Sequence, residues 1–158
     1  MSVATLNINL SSISKNWSYL HNLSPKSVAT AAVIKANAYG LGVDPIVSHL
    51  FYNGVKAFFV SSATEAVELR KILPTEVTIS YLNGYLIEDF QAGKDYNIIP
   101  VLNSLEQIEK FIISGKTYFC KIMFPRKCFL IHSTYRTCTV YTVHVLYIQY
   151  MYCTYSTC

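Results

Sequence analysis

Ala31-Ala32-Val33-Ile34-Lys35-Ala36-Asn37-Ala38-Tyr39-Gly40-Leu41-Gly42 is the stretch on which the fold turns. It sits inside a longer run, Val28 to Ala36, that is small or apolar but for Lys35. Such a run reads as a strand buried on both faces, the kind found in parallel sheets. An ammonium at the end of it is costly unless paired or neutral. A lysine in apolar surroundings gives up its proton more readily and becomes the nucleophile that Schiff-base chemistry needs. In a βα barrel, active-site groups project from the carboxyl ends of the strands. The plainer reading is a lysine that snorkels from a strand end into water. Tyr39 adds a hydroxyl four residues on, and Gly40 and Gly42 allow close backbone approach to an anion. Together these residues suit a phosphate beside a reactive amine, although a Tyr-Gly-x-Gly loop alone is more often a simple turn.

Outward from this stretch the pattern is regular. Residues 5–10 alternate polar and apolar, as in a half-buried strand. Ser11 or Ser12 is expected to cap a helix in which Ile13, Trp17 and Leu20 share a face and which Ser24-Pro25 ends. Downstream, Asp44-Pro45 reads as an N-cap and N1 proline, with Asn53-Gly54 closing that helix. Val55 to Val60 is a second buried strand, and Ser62-Ala63-Thr64-Glu65 is a capping box for a helix that runs to Leu73. Val77 to Leu82 is a third strand, followed by an Asn83-Gly84 turn and a short helix from Leu86 to Ala92 with Gly93 just past its end. Asn97 to Leu102 is a fourth strand. Asn103 is expected to cap a helix with Leu105, Ile108 and Ile112 on one face and Gly115 at its end. Four strand–helix units predict an α/β fold, a parallel sheet with helices outside. A complete eight-fold barrel takes about 250 residues, so the 158 here predict a partial (β/α)8 TIM-type barrel of about four units.

Composition breaks at one point. All nine acidic residues lie between Asp44 and Glu109, and the net charge of +4 comes from Lys121, Arg126, Lys127 and Arg136. Four scattered charges do not make a basic patch, so nucleic acid is not an expected partner. Cys120, Cys128, Cys138, Cys153 and Cys158 all follow the same point, as do seven of the 13 tyrosines. Two regions result: 1–117, and a Tyr-, Cys- and Thr-rich tail, 118–158, expected to be β-prone or disordered and outside the barrel. The abrupt change suits a shift of reading frame or read-through. The tail cysteines form no Cys-x-x-Cys pair, so no metal site is expected. Thr137 to Cys158 carries no formal charge, but its Thr, Gln, Ser and Tyr make a poor membrane helix. Residues 1–14 lack a basic n-region and a long apolar run, so no signal peptide is expected. The cysteine-free body suits a reducing, cytoplasmic setting.

Val33-Ile34-Lys35-Ala36-Asn37-Ala38-Tyr39-Gly40 resembles the cofactor-lysine motif of the alanine racemase family. The resemblance continues through Phe58-Phe59-Val60-Ser61-Ser62, Glu65-Ala66, Leu69-Arg70, Leu82-Asn83-Gly84 and Pro100-Val101-Leu102-Asn103, over residues 2 to about 115. Leu41 departs from the pattern, where histidine is frequent. The resemblance implies an isomerase that interconverts L- and D-alanine with pyridoxal 5′-phosphate (PLP), supplying D-alanine for peptidoglycan. It implies that Lys35 binds PLP covalently and acts as one of two catalytic bases. It implies further that Tyr39 hydrogen-bonds the phosphate, that Leu82 lies near the ring, and that the protein forms homodimers.

Racemisation needs proton removal on one face and delivery on the other. In the family the second base is a tyrosine of a separate C-terminal domain. Neither Tyr135, Tyr141 nor any other tail residue sits in a matching context, so the chain alone is expected to be inactive. Two other readings stand beside this one. A PLP-binding barrel without racemase activity, of the PLP-homeostasis type, places its lysine similarly, but the Asn-Ala-Tyr-Gly stretch favours the racemase. A non-enzymatic fragment is the other.

Overall fold

The computed structural model describes residues 5–26, 28–113, 119–124, 127–134, 137–146 and 155–156. A two-residue strand, β1 (Thr5–Leu6), leads into helix α1 (Leu10–Leu23). Asn9 caps this helix, its side chain accepting from Ser12 N at 3.0 Å. The cap therefore lies two residues before the expected Ser11: Asn9 is extended and its short amide reaches the first turn. Ile13 and Trp17 are buried. Trp17 Nε1 donates to Thr30 O at 3.2 Å, which fastens α1 to the next strand.

Four parallel strands follow: β2 (Thr30–Val33), β3 (Ala57–Val60), β4 (Thr78–Tyr81) and β5 (Ile98–Leu102). They pair in sequence order, with Val33 beside Phe59, Val60 beside Tyr81, and Tyr81 beside Pro100. A short turn, α2 (Lys35–Tyr39), and the helices α3 (Val43–Tyr52), α4 (Ala63–Ile72), α5 (Asp89–Asp95) and α6 (Leu105–Ile113) fill the connections. These are the four anticipated strand–helix units. Burial on both faces explains why the strands carry runs of apolar residues without alternation. Ala32, Ile34, Phe58, Val60, Ile79 and Tyr81 pack with the helices, in one cluster with Trp17, Leu50 and Leu69. Ala31, Val33, Ala57, Phe59 and Val101 form a second cluster on the other face, and Leu82 packs against it.

Arg70 locks the opposite end of this layer. Its guanidinium donates to the carbonyls of Pro74, Val77, Tyr96 and Asn97. One α4 side chain thus ties together the segments that lead into β4 and β5. Burial lowers the Arg70 pKa from its usual value, while Glu76 acts in the other direction.

Three boundaries differ from the sequence expectation. Helix α3 starts at Val43, with Gly42 before it, so Pro45 falls inside the first turn and Asp44 is not the cap. The Val43 N–H is satisfied from outside the helix, by Asn37 Oδ1 at 3.0 Å. Helix α5 includes Gly93 and begins at Asp89, whose carboxylate accepts from Leu86 N at 3.3 Å. Ser104, not Asn103, caps α6, its hydroxyl accepting from Gln107 N at 3.2 Å. Asn103 turns its amide to Leu82 O instead, at 2.6 Å. The expected helix end at Gly115 lies outside the described residues.

The described tail residues are β-strands, in line with their β-prone composition. Strands β6 (Phe119–Phe124), β7 (Lys127–Thr134) and β8 (Thr137–Leu146) form an antiparallel meander. β6 joins β5 in parallel and β8 joins β2 in parallel, closing a seven-stranded barrel. A further strand, β9 (Tyr155–Ser156), pairs with β1. In these strands the described part of the tail runs alongside the four strand–helix units in one sheet. Four parallel strands leave an unpaired row of N–H and C=O groups on β2 and on β5. A tail rich in β-branched and aromatic residues can satisfy both rows. The closure is not the eight-fold βα kind: it has seven strands, and no helix follows Ile113 among the described residues.

Candidate active site

The ladder between β2 and β3 makes its last bond from Ile34 N to Phe59 O, at 2.9 Å. Lys35 is the next residue, half-buried, at the carboxyl end of a central parallel strand. The chain then does something L-residues rarely do. Ala36, Asn37, Ala38 and Tyr39 all take left-handed backbone angles, with φ of 52°, 54°, 52° and 57°. Each such residue costs roughly 1–2 kcal/mol relative to the right-handed form, and only asparagine among these four adopts it with any ease. A run of this kind persists only where its surroundings over-determine it.

The surroundings do so through hydrogen bonds. Inside the turn, Ala38 N donates to Ile34 O at 3.0 Å and Gly40 N to Ala36 O at 2.9 Å. Leu41 N donates to Ala38 O at 3.2 Å and Gly42 N to Asn37 O at 3.0 Å. From outside, the half-buried Glu65 accepts from Ala36 N with Oε1 at 3.0 Å and from Ser61 N with Oε2 at 2.7 Å. Glu65 stands in the first turn of α4, where the helix dipole favours a carboxylate.

These bonds revise the reading of the two glycines. The amides of Gly40, Leu41 and Gly42 all donate within the turn, so they do not form an anion cradle. Gly40 at φ 84° and Gly42 at φ 94° are required by backbone conformation. Tyr39 ends the left-handed run and is 40% exposed. Leu82 follows β4, its N–H donating to Val60 O at 3.0 Å, and its side chain packs on the cluster that holds Ala31 and Val33. Lys35 and Leu82 thus share the carboxyl end of the sheet. A cavity of about 490 Å³ lies on the helix side, lined by Ile34, Asn37, Val60, Glu65 and Leu69 among others, with none of Lys35, Tyr39 and Leu82 in its lining.

Glu65, Asn37 and Asn103 escaped the sequence reading as site residues. The capping-box pattern did single out Glu65, but only for its role at the start of α4. Its bond to Ala36 spans 29 residues, and no local pattern carries that. Among the described residues no three His, Cys, Asp or Glu gather as a metal site, and no helix is long and apolar enough to cross a membrane.

A lysine directly after a buried parallel strand, with a tyrosine at the end of the turn that follows it, defines a class: barrel proteins with an amine at the carboxyl end of a strand. Comparison with known proteins narrows it. Residues 8–117 match the family described as alanine racemase, N-terminal domain, and the chain belongs to that family. It is 41% identical to the alanine racemase of Rickettsia prowazekii over 128 residues, covering 78% of this chain and 31% of that protein. It is 44% identical to the alanine racemase of Rickettsia akari over 109 residues, covering 69% of this chain and 30% of that protein. Among solved structures, the alanine racemase from Bartonella henselae, with covalently bound pyridoxal phosphate, is 32% identical with a TM-score of 0.67. That match covers 76% of this chain and 34% of the other. The chain spans about a third of the length of the relatives it matches.

Proposed function

We propose that this chain is the cofactor-lysine portion of a PLP-dependent alanine racemase, with Lys35 as the residue that binds PLP. The observation that carries the reading is the placement of Lys35, at the strand's carboxyl end and ahead of a left-handed turn held from two sides. The donor set suits the group: an amine for its aldehyde, the Tyr39 hydroxyl for its phosphate and Leu82 for its ring. The turn's amides add nothing to the phosphate site, since they are already engaged. When bound, PLP supplies a sink for the electron pair left on the amino acid's α-carbon. Lys35 Nζ removes or returns the α-proton of alanine on one face. The relatives named above are alanine racemases, which favours this reading over a PLP-binding barrel without racemase activity.

A second base is needed on the opposite face, and no tail tyrosine stands in a sequence context that matches the family's. We therefore expect the chain alone to be a poor racemase. The whole enzyme's homodimeric form, its cytoplasmic setting and its supply of D-alanine to peptidoglycan belong to the same proposal.

The test is the purified chain with PLP and L-alanine in D2O, followed by chiral analysis. The expected result is little or no D-alanine, with α-deuteration above that of PLP alone and dependent on Lys35. Turnover in the usual enzyme range of about 1–1000 per second, abolished by Lys35→Ala, would place a second base within this chain. Deuteration unchanged by Lys35→Ala would remove Lys35 from its role.

A further inference from the structure

We infer that Glu65 is a positioning residue for Lys35: its carboxylate clamps the left-handed turn after the lysine to the end of the neighbouring strand. The inference rests on the reading of Lys35 given above. The geometry is specific. One oxygen takes the N–H of Ala36, the residue directly after Lys35 and the first of the left-handed run. The other takes the N–H of Ser61, the residue directly after β3. Two neighbouring strand ends are therefore joined through one side chain at bond lengths of 3.0 and 2.7 Å.

An ordinary capping box sends its glutamate back to the N-cap amide of its own helix. Here Ser62 is the N-cap and its hydroxyl accepts from Glu65 N at 3.3 Å, but the carboxylate passes over Ser62 to Ser61 and on to Ala36. Helix capping alone does not require the Ala36 bond. The left-handed run gains from it: beside the turn's own bonds and the Asn37–Val43 bond, an acceptor at its first N–H opposes return to the cheaper right-handed form at the end next to Lys35. Small misplacement of a reacting group is costly in rate, and the turn sets where the Lys35 backbone points. Only a carboxylate does this: it accepts at both oxygens, whereas a carboxamide accepts at one end and donates at the other.

The experiment uses the full chain and the variants Glu65→Gln, Glu65→Ala and Ser62→Ala. Two quantities are read: hydrogen exchange at the Ala36 and Ser61 amides without PLP, and the rate at which added PLP becomes borohydride-trappable at Lys35. Glu65→Gln is expected to speed Ala36 exchange at least tenfold and to slow Lys35 trapping by a similar factor, with helix content retained. Glu65→Ala should do the same or more. Ser62→Ala, which removes the cap and spares the clamp, should leave both quantities within about twofold. Wild-type Ala36 exchange in Glu65→Gln, or loosened exchange with trapping at the wild-type rate, would overturn the inference. So would equal effects of Ser62→Ala and Glu65→Gln, which would reduce Glu65 to a helix cap. Absence of Lys35 trapping in the wild type would sink the proposed function instead, and the exchange measurement would still decide the clamp.

Discussion

Helices α4 and α6 enter the barrel in the same way and then diverge at a single atom. Each begins with a serine whose hydroxyl accepts from the N–H three residues on, Ser62 from Glu65 and Ser104 from Gln107. Each sends that third residue's side chain back to the amide before the serine, Glu65 to Ser61 at 2.7 Å and Gln107 to Asn103 at 2.8 Å. The spare end of each side chain then meets the loop after another strand. In Glu65 it is a second acceptor, and it takes the N–H of a strained turn. In Gln107 it is an amide donor, and it lies against Gly84, where an added Cβ would collide with Nε2. The same four-residue pattern thus builds a clamp at one strand end and a filled gap at another. Carboxylate or carboxamide decides which.

The two helices also differ at their far ends, and the largest expected effect lies there. Arg70, on α4, donates to four carbonyls of the segments before β4 and β5. Arg70→Ala leaves those acceptors without their donor. A buried unsatisfied acceptor costs about 1–3 kcal/mol, and partial rehydration offsets some of it, so about 3–4 kcal/mol overall is expected. Urea unfolding followed by circular dichroism measures it as a lowered midpoint. A change under about 1 kcal/mol would mean that α4 is held mainly by its apolar face.

A smaller effect is expected at the other corner. Gly84 has a φ of 88°. Gly84→Ala costs about 1–2 kcal/mol in backbone conformation, and displacing Gln107 from Asn103 N adds about 1 kcal/mol. The double variant Gly84→Ala/Gln107→Ala sharpens the comparison. If the gap is filled as described, the two losses combine to less than their sum by about 0.5–1 kcal/mol. Strict additivity would separate Gln107 from Gly84.

The parallel body was legible because its signals are local. Buried strands such as Phe58-Phe59-Val60 read as unbroken apolar runs, and Ser62-x-x-Glu65 read as a helix start. The position of Lys35 followed from the apolar run before it. What escaped was non-local. Val43 N is satisfied by Asn37, Leu82 O by Asn103 and Ala36 N by Glu65, across 6, 21 and 29 residues respectively. The left-handed run was illegible because alanine has no propensity for it; the turn is imposed by partners. The two glycines were legible as special, but their purpose was not: a positive φ and an anion cradle look alike in sequence. The tail's β composition was plain, yet nothing in it told of edges on β2 and β5 waiting for strands.

The most direct test of Lys35 is to incubate the full chain with PLP, reduce with borohydride and map the labelled peptide. The cofactor adduct is expected on Lys35 and absent in Lys35→Ala. Label on Lys56 or Lys94, with Lys35 unmodified, would contradict the assignment of Lys35 as the cofactor lysine.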